Sequence, residues 1–138
     1  MTPLYTASAV ATGDGRNGHV RSTDGFVDTE VRTPPELGGP GGATNPEQLF
    51  AAGYAACFHS ALRLVAGKAG ADVTDSEVVA DVSIGSVDGG GFGLAVQLEV
   101  ALPALDHATA LDLVHQAHQV CPYSNATRGN IEVTLTVA

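Results

Sequence analysis

The chain has 138 residues, enough for one domain that buries roughly two-thirds of its unfolded surface. Fifteen acidic residues against six Lys and Arg give a net charge of −9, so no basic patch can be assembled; this argues against nucleic acid and anionic membrane surfaces as partners. Apolar residues make up 44% of the chain, but Trp is absent and only 5% is aromatic, so the core falls to Ala, Val, Leu and Ile.

The opening segment, MTPLYTASAV, lacks a basic stretch followed by an apolar run and so carries no signal-peptide pattern. A soluble, cytoplasmic protein is expected. In a reducing compartment the two cysteines, Cys57 and Cys121, point to catalysis, redox chemistry or metal binding rather than to a structural staple. The first third reads as strands and turns. LYTASAVAT alternates weakly, DGRNG is a turn cluster, HVRS is short, TDG turns again and FVDTEV alternates. The Gly/Pro-rich loop TPPELGGPGGATNP follows, of a length often associated with function.

A helix is predicted next. Asn45 suits the N-cap, Pro46 the first helical position, and Gln48 completes a capping-box-like spacing. Leu49, Phe50, Ala52, Ala56, Leu62, Leu64 and Val65 surround the helix on nearly every side, which places it in the centre of the molecule or in a subunit interface. Its charge-free run from Gln48 to Leu62 is 15 residues, too short to span a bilayer. Arg63 and Lys68 lie near the C-terminal end, where positive charge is favourable, and Gly67 and Gly70 are expected to stop it.

EVVADVSIGS and FGLAVQLEVAL, joined through DGGG, read as two strands, the second with Leu94, Val96, Leu98 and Val100 on one face. Asp106 can cap a second helix, HATALDLVHQAHQV, with Leu111, Val114, His118 and Cys121 in one stripe; Pro122 ends it. IEVTLTVA closes the chain as a strand with Ile131, Val133, Leu135 and Val137 facing one way. The fold class is α+β in a single domain over residues 1–138, with mostly antiparallel sheet and a long buried central helix.

A cysteine inside a buried helix is ordinarily a packed small hydrophobe. Cys121 argues otherwise for Cys57. At the C-terminal end of its own helix the dipole disfavours a thiolate there, so Cys121 suits a resolving role better than an attacking one. Cys57 has no helix N-terminus nearby and needs a cation to become acidic. His59 is two positions on and points elsewhere, as packing or toward solvent. His115, His118 and Cys121 recur every three residues but drift by about 60° per step, which suits a shared metal poorly.

TNPEQLFAAGYAACFHSAL and VCPYSNATRGNIEVTL resemble the two cysteine motifs of the organic hydroperoxide resistance (Ohr) proteins of the OsmC/Ohr superfamily. GDGRNGHVRSTDG resembles the arginine-bearing N-terminal motif, so the likeness runs over essentially the whole chain, and CPYSNATRGN favours the Ohr branch over the OsmC branch. The resemblance implies an OsmC/Ohr-like intertwined homodimer with interfacial active sites, and a peroxidase that reduces organic hydroperoxides to alcohols. By the same resemblance Cys57 is the peroxidatic cysteine and Cys121 the resolving one. Arg16 is the arginine that stabilises the thiolate and polarises the peroxide, and Glu47 orients Arg16. No bound cofactor or metal is implied; electrons come from the dihydrolipoyl groups of lipoylated partner proteins.

Glu47 and Cys57 are ten residues apart, about 15 Å along a continuous helix. Either the helix breaks, with Gly53 the favoured place, or Arg16 and Glu47 act across a dimer interface, or both hold; the interfacial site of the family favours the second. Arg128 in ATRGN rivals Arg16. An OsmC-branch peroxidase with broader substrates, or a non-enzymatic redox sensor or ligand binder, are the alternative functions.

Overall fold

Gly15 and Arg16 form the two-residue turn of a hairpin between β1 (Ala9–Asp14) and β2 (Asn17–Ser22), closed by the Asp14–Asn17 pair. Gly15 takes a φ of 61°, the positive value that the first position of a II′-type turn requires. The computed structural model describes all 138 residues, which divide into two compact units, Met1–Leu49 and Phe50–Ala138. In the first unit β3 (Asp28–Glu30) completes an antiparallel sheet of order β1-β2-β3. A single 3₁₀ turn (Pro35–Leu37) is the only regular structure in the Gly/Pro-rich loop.

Helix α1 (Pro46–Ala69) starts as expected, with the Gln48 backbone N–H donating to Asn45 Oδ1 at 2.9 Å. The capping box is not reciprocal, because the Gln48 side chain instead accepts from the Thr44 hydroxyl at 2.8 Å. At the other end Gly67 lies inside the helix and Gly70 stops it, with φ 67°. The Gly70 N–H donates to the Gly67 carbonyl and the Ala71 N–H to the Ala66 carbonyl, the paired bonds of a Schellman motif. Gly53 does not break α1, which has 24 residues without interruption. The helix is therefore long enough, and apolar enough, to cross a membrane by length and composition. It packs as a core helix: Tyr54, Phe58, Ala61, Leu62 and Ala66 are buried in one cluster with residues of β5 and α2. Burial on nearly every side is not seen in the single chain, where Ala52, Ala56 and Leu64 are exposed.

In the second unit β4 (Glu77–Ser86) pairs antiparallel with β5 (Phe92–Ala101), and Val96, Leu98 and Val100 are buried as the alternation predicted. β6 (Val133–Val137) joins the other edge of β5 in parallel. That geometry needs a crossover, supplied by α2 (His107–Val120) and α3 (Pro122–Thr127). The other three ladders are antiparallel. Asp106 caps α2 as predicted, accepting from the Thr109 N–H. The buried stripe of α2 is Ala110, Leu113, Val114 and Ala117, continued by Cys121; Leu111 and His118 lie at its margin. Pro122 ends α2 but also begins α3, which the sequence pattern did not show.

Candidate active site

The predicted site residues meet as two pairs. In the first unit, the hairpin turn presents Arg16 to Glu47 in the first turn of α1. Arg16 Nη1 donates to Glu47 Oε2 at 2.9 Å and Nη2 to Oε1 at 2.7 Å, a bidentate ion pair. Glu47 is 12% exposed and Arg16 40%. The Arg16 hydrogen bonds hold the Glu47 carboxyl below the usual carboxylate range, and Glu47 raises the guanidinium in return. The N-terminal end of α1 also favours a negative charge at Glu47.

In the second unit, Cys57 Sγ and Cys121 Sγ lie 3.6 Å apart, both as free thiols. A disulfide needs about 2.05 Å, so the sulfurs touch without being bonded. Cys121 is fully buried and Cys57 half-buried. Burial pushes the Cys57 thiol up, and the neighbouring Cys121 adds to that; a hydrogen bond from the Tyr123 backbone N–H pulls the other way without reversing it. Cys121 caps the C-terminus of α2 and at the same time the N-terminus of α3, a second helix that its place in the sequence did not show. Its N–H donates to the Ala117 carbonyl and its carbonyl accepts from the Asn125 N–H, both at 2.9 Å.

Arg128 is committed elsewhere: Nη1 donates to the His118 carbonyl at 2.8 Å and Nη2 to Asn125 Oδ1 at 2.6 Å, capping the end of α2. His59 Nε2 pairs with Ser76 Oγ at 2.9 Å. No three His, Cys, Asp or Glu side chains converge on one point.

An open cavity of about 510 Å³ lies against α3, lined by Phe50, Phe92, Leu94, Tyr123, Thr127 and Ile131 among others, with neither thiol in its lining. The rings of Phe50 and Tyr123 stand 5.8 Å apart and those of Tyr54 and Tyr123 5.6 Å. Of the aromatic residues flanking Cys57 in sequence, only Phe50 lines this cavity; Tyr54 and Phe58 are fully buried in the core. Tyr123, Phe92, Leu94 and Ile131 are among the lining residues that sequence reasoning missed. Tyr123 alone had a signal, its position two residues after Cys121. Phe92 and Ile131 come together only through the pairing of strands from distant segments.

A family model described as OsmC-like protein matches residues 39–136. The organic hydroperoxide resistance protein of Xanthomonas axonopodis pv. citri is 55% identical over 137 residues, 98% of this chain and 95% of its own. Organic hydroperoxide resistance protein OhrB of Bacillus subtilis is 47% identical over 133 residues, 96% of each chain. The crystal structure of an organic hydroperoxide resistance protein from Elizabethkingia anophelis superposes with a TM-score of 0.94 at 55% identity, covering 100% of this chain and 99% of the other. That of OhrB from Bacillus subtilis gives 0.90 at 45% identity, covering 99% and 100%.

Proposed function

The chain belongs to the OsmC/Ohr family of organic hydroperoxide resistance proteins, and on that premise we propose that it is a cysteine-based peroxidase reducing organic hydroperoxides to alcohols. The observation that carries the reading is the 3.6 Å approach of two free thiols, from positions 64 residues apart. The Cys57 thiolate attacks one peroxide oxygen, the O–O bond breaks, and the alkoxide leaves and is protonated to the alcohol. Cys57 is left as a sulfenic acid. Cys121 condenses with it to a disulfide, releasing water. A dihydrolipoyl group of a lipoylated partner protein restores both thiols by exchange.

Burial opposes ionisation of Cys57, so the thiolate needs a cation that stays protonated. Arg16 is that cation, and Glu47 holds its planar fork in one orientation. The same guanidinium stabilises the charge that develops on the leaving alkoxide. The apolar cavity favours alkyl and fatty-acid hydroperoxides over hydrogen peroxide, which gains nothing from apolar walls. The active unit is a cytoplasmic homodimer. In support, the single chain leaves Leu4, Tyr5 and Phe26 of the first unit and Leu64 of α1 exposed, apolar surface of the kind that subunits cover.

Catalytic consumption of tert-butyl hydroperoxide with dihydrolipoamide as reductant tests the reading. The wild-type chain is expected to turn over repeatedly and Cys57→Ser to be inert. Turnover retained by Cys57→Ser would contradict the mechanism, and a single stoichiometric oxidation without turnover would make the chain a sensor rather than an enzyme.

A further inference from the structure

Tyr54, Ser124 and Thr127 are buried residues whose hydroxyls have no part in the proposed reaction. Tyr54 Oη lies 2.8 Å from Ser124 Oγ and 3.0 Å from Thr127 Oγ1, and Thr127 Oγ1 donates to the Ser124 carbonyl at 3.3 Å. With the Thr127 proton so placed, one assignment satisfies every hydroxyl: Ser124 donates to Tyr54, Tyr54 to Thr127, and Thr127 to the Ser124 carbonyl. The result is a closed ring away from water, where an unmade bond is expensive.

The ring sits one helical turn from the thiols on both of its sides. Tyr54 precedes Cys57 by three residues on α1, and Ser124 follows Cys121 by three. Residues three apart on a helix share a face. The 54–124 and 57–121 contacts are therefore successive rungs between the same two segments, about 4.5 Å apart along α1. Cys121 itself is the extended joint between α2 and α3, with φ −64° and ψ 124°. α3 has six residues, too few to hold a helix without tertiary contacts. Two polar contacts tie it to α1: the Tyr123 N–H on Cys57, and the fully buried Tyr54 hydroxyl on Ser124 and Thr127.

We propose that Tyr54, acting through Ser124 and Thr127, is a positioning residue that holds Cys121 beside Cys57 for capture of the sulfenic acid. The proposal rests on the peroxidase reading above. In the captured step the Cys121 sulfur attacks the Cys57 sulfur; an S–S bond forms as the S–O bond breaks, and the hydroxide leaves with the thiol proton as water. The oxidising equivalents come from the hydroperoxide already reduced. The sulfurs must close from 3.6 Å to about 2.05 Å, so a drift of α3 by an ångström weighs directly on this step. An uncaptured sulfenic acid meets a second hydroperoxide and becomes sulfinic acid.

Single-turnover oxidation of the full chain by tert-butyl hydroperoxide, followed by mass spectrometry with dimedone trapping, separates the two steps. For Tyr54→Phe, peroxide consumption is expected within about twofold of wild type while disulfide formation slows about tenfold or more. Trapped sulfenic acid should accumulate, and excess hydroperoxide should inactivate the variant sooner than wild type. Ser124→Ala opens the same ring by a smaller change, and the result is read from whichever variant keeps the wild-type circular dichroism. Wild-type disulfide formation in any folded variant, or equal slowing of both steps, overturns the positioning role. A wild-type chain that consumes no hydroperoxide overturns the peroxidase reading instead.

Discussion

Glu47 is held ionised by two independent features, the Arg16 fork and the N-terminal end of α1, and its carboxyl pKa is lowered chiefly by the Arg16 hydrogen bonds. A carboxyl whose folded pKa is depressed contributes stability that is fully present above its unfolded value, near 4.5, and lost as pH falls through the lower folded value. Arg16 is 40% exposed, so solvent screening keeps the pair's contribution to about 1 kcal/mol. Glu47→Gln is therefore expected to lower the thermal midpoint at pH 7, and the gap from wild type should close as pH drops below 4.5. A gap that stays constant from neutral pH into strong acid would mean that Glu47 acts through packing and not through charge. Peroxidase activity of the same variant should fall at pH 7, because a guanidinium without its carboxylate loses a fixed orientation.

Gly53 shows how one position in α1 serves the segment that follows Cys121. A Cβ built there would meet Tyr123 Oη at 2.8 Å and two ring carbons at 3.2 and 3.3 Å. Alanine at a helix interior gains about 1 kcal/mol over glycine, which offsets the displacement of a ring that can swing. Gly53→Ala is thus expected to change stability by less than about 1 kcal/mol in either direction. It should still impair turnover of cumene hydroperoxide more than that of hydrogen peroxide, since the ring that must move lines the apolar cavity and its backbone N–H serves Cys57. Equal effects on both peroxides would remove Tyr123 from substrate discrimination. The elements themselves were legible because their signals are local: Asn45 and Asp106 cap the helices that follow them, and alternation marks β5. The parallel pairing of β6 with β5 was not, because ladder direction is fixed by hydrogen bonds between segments more than 30 residues apart. The role of Gly67 was misread since a glycine inside a helix and one at its end look alike in sequence; only Gly70 has the positive φ. The likeness to Ohr motifs brought Cys57 and Cys121 together, but the Tyr123 N–H could not be read, as every residue except proline carries one.

The chain as a whole carries its predicted chemistry in two units, the Arg16–Glu47 pair in Met1–Leu49 and the thiol pair in Phe50–Ala138. The peroxidase reading requires a guanidinium at the Cys57 sulfur. Of the two routes the sequence left open, a break at Gly53 is not taken, because α1 is continuous. On the other route that the sequence left open, the Arg16–Glu47 pair of one subunit serves Cys57 of the other. Two inactive variants can then repair one another. In a dimer of Arg16→Ala with Cys57→Ser, one site has both the intact thiol and the intact arginine, and the second site has neither. Random reassortment of equal amounts makes half of the dimers mixed, each with one working site of two, so activity is expected to recover to about a quarter of wild type. Each variant alone should stay inactive, and size-exclusion chromatography should show a dimer throughout. Were Arg16 to act within its own chain, no mixed dimer would contain a complete site. Activity after reassortment would then stay at the level of the separate variants, and that result would place the arginine in the same subunit as the thiol it serves.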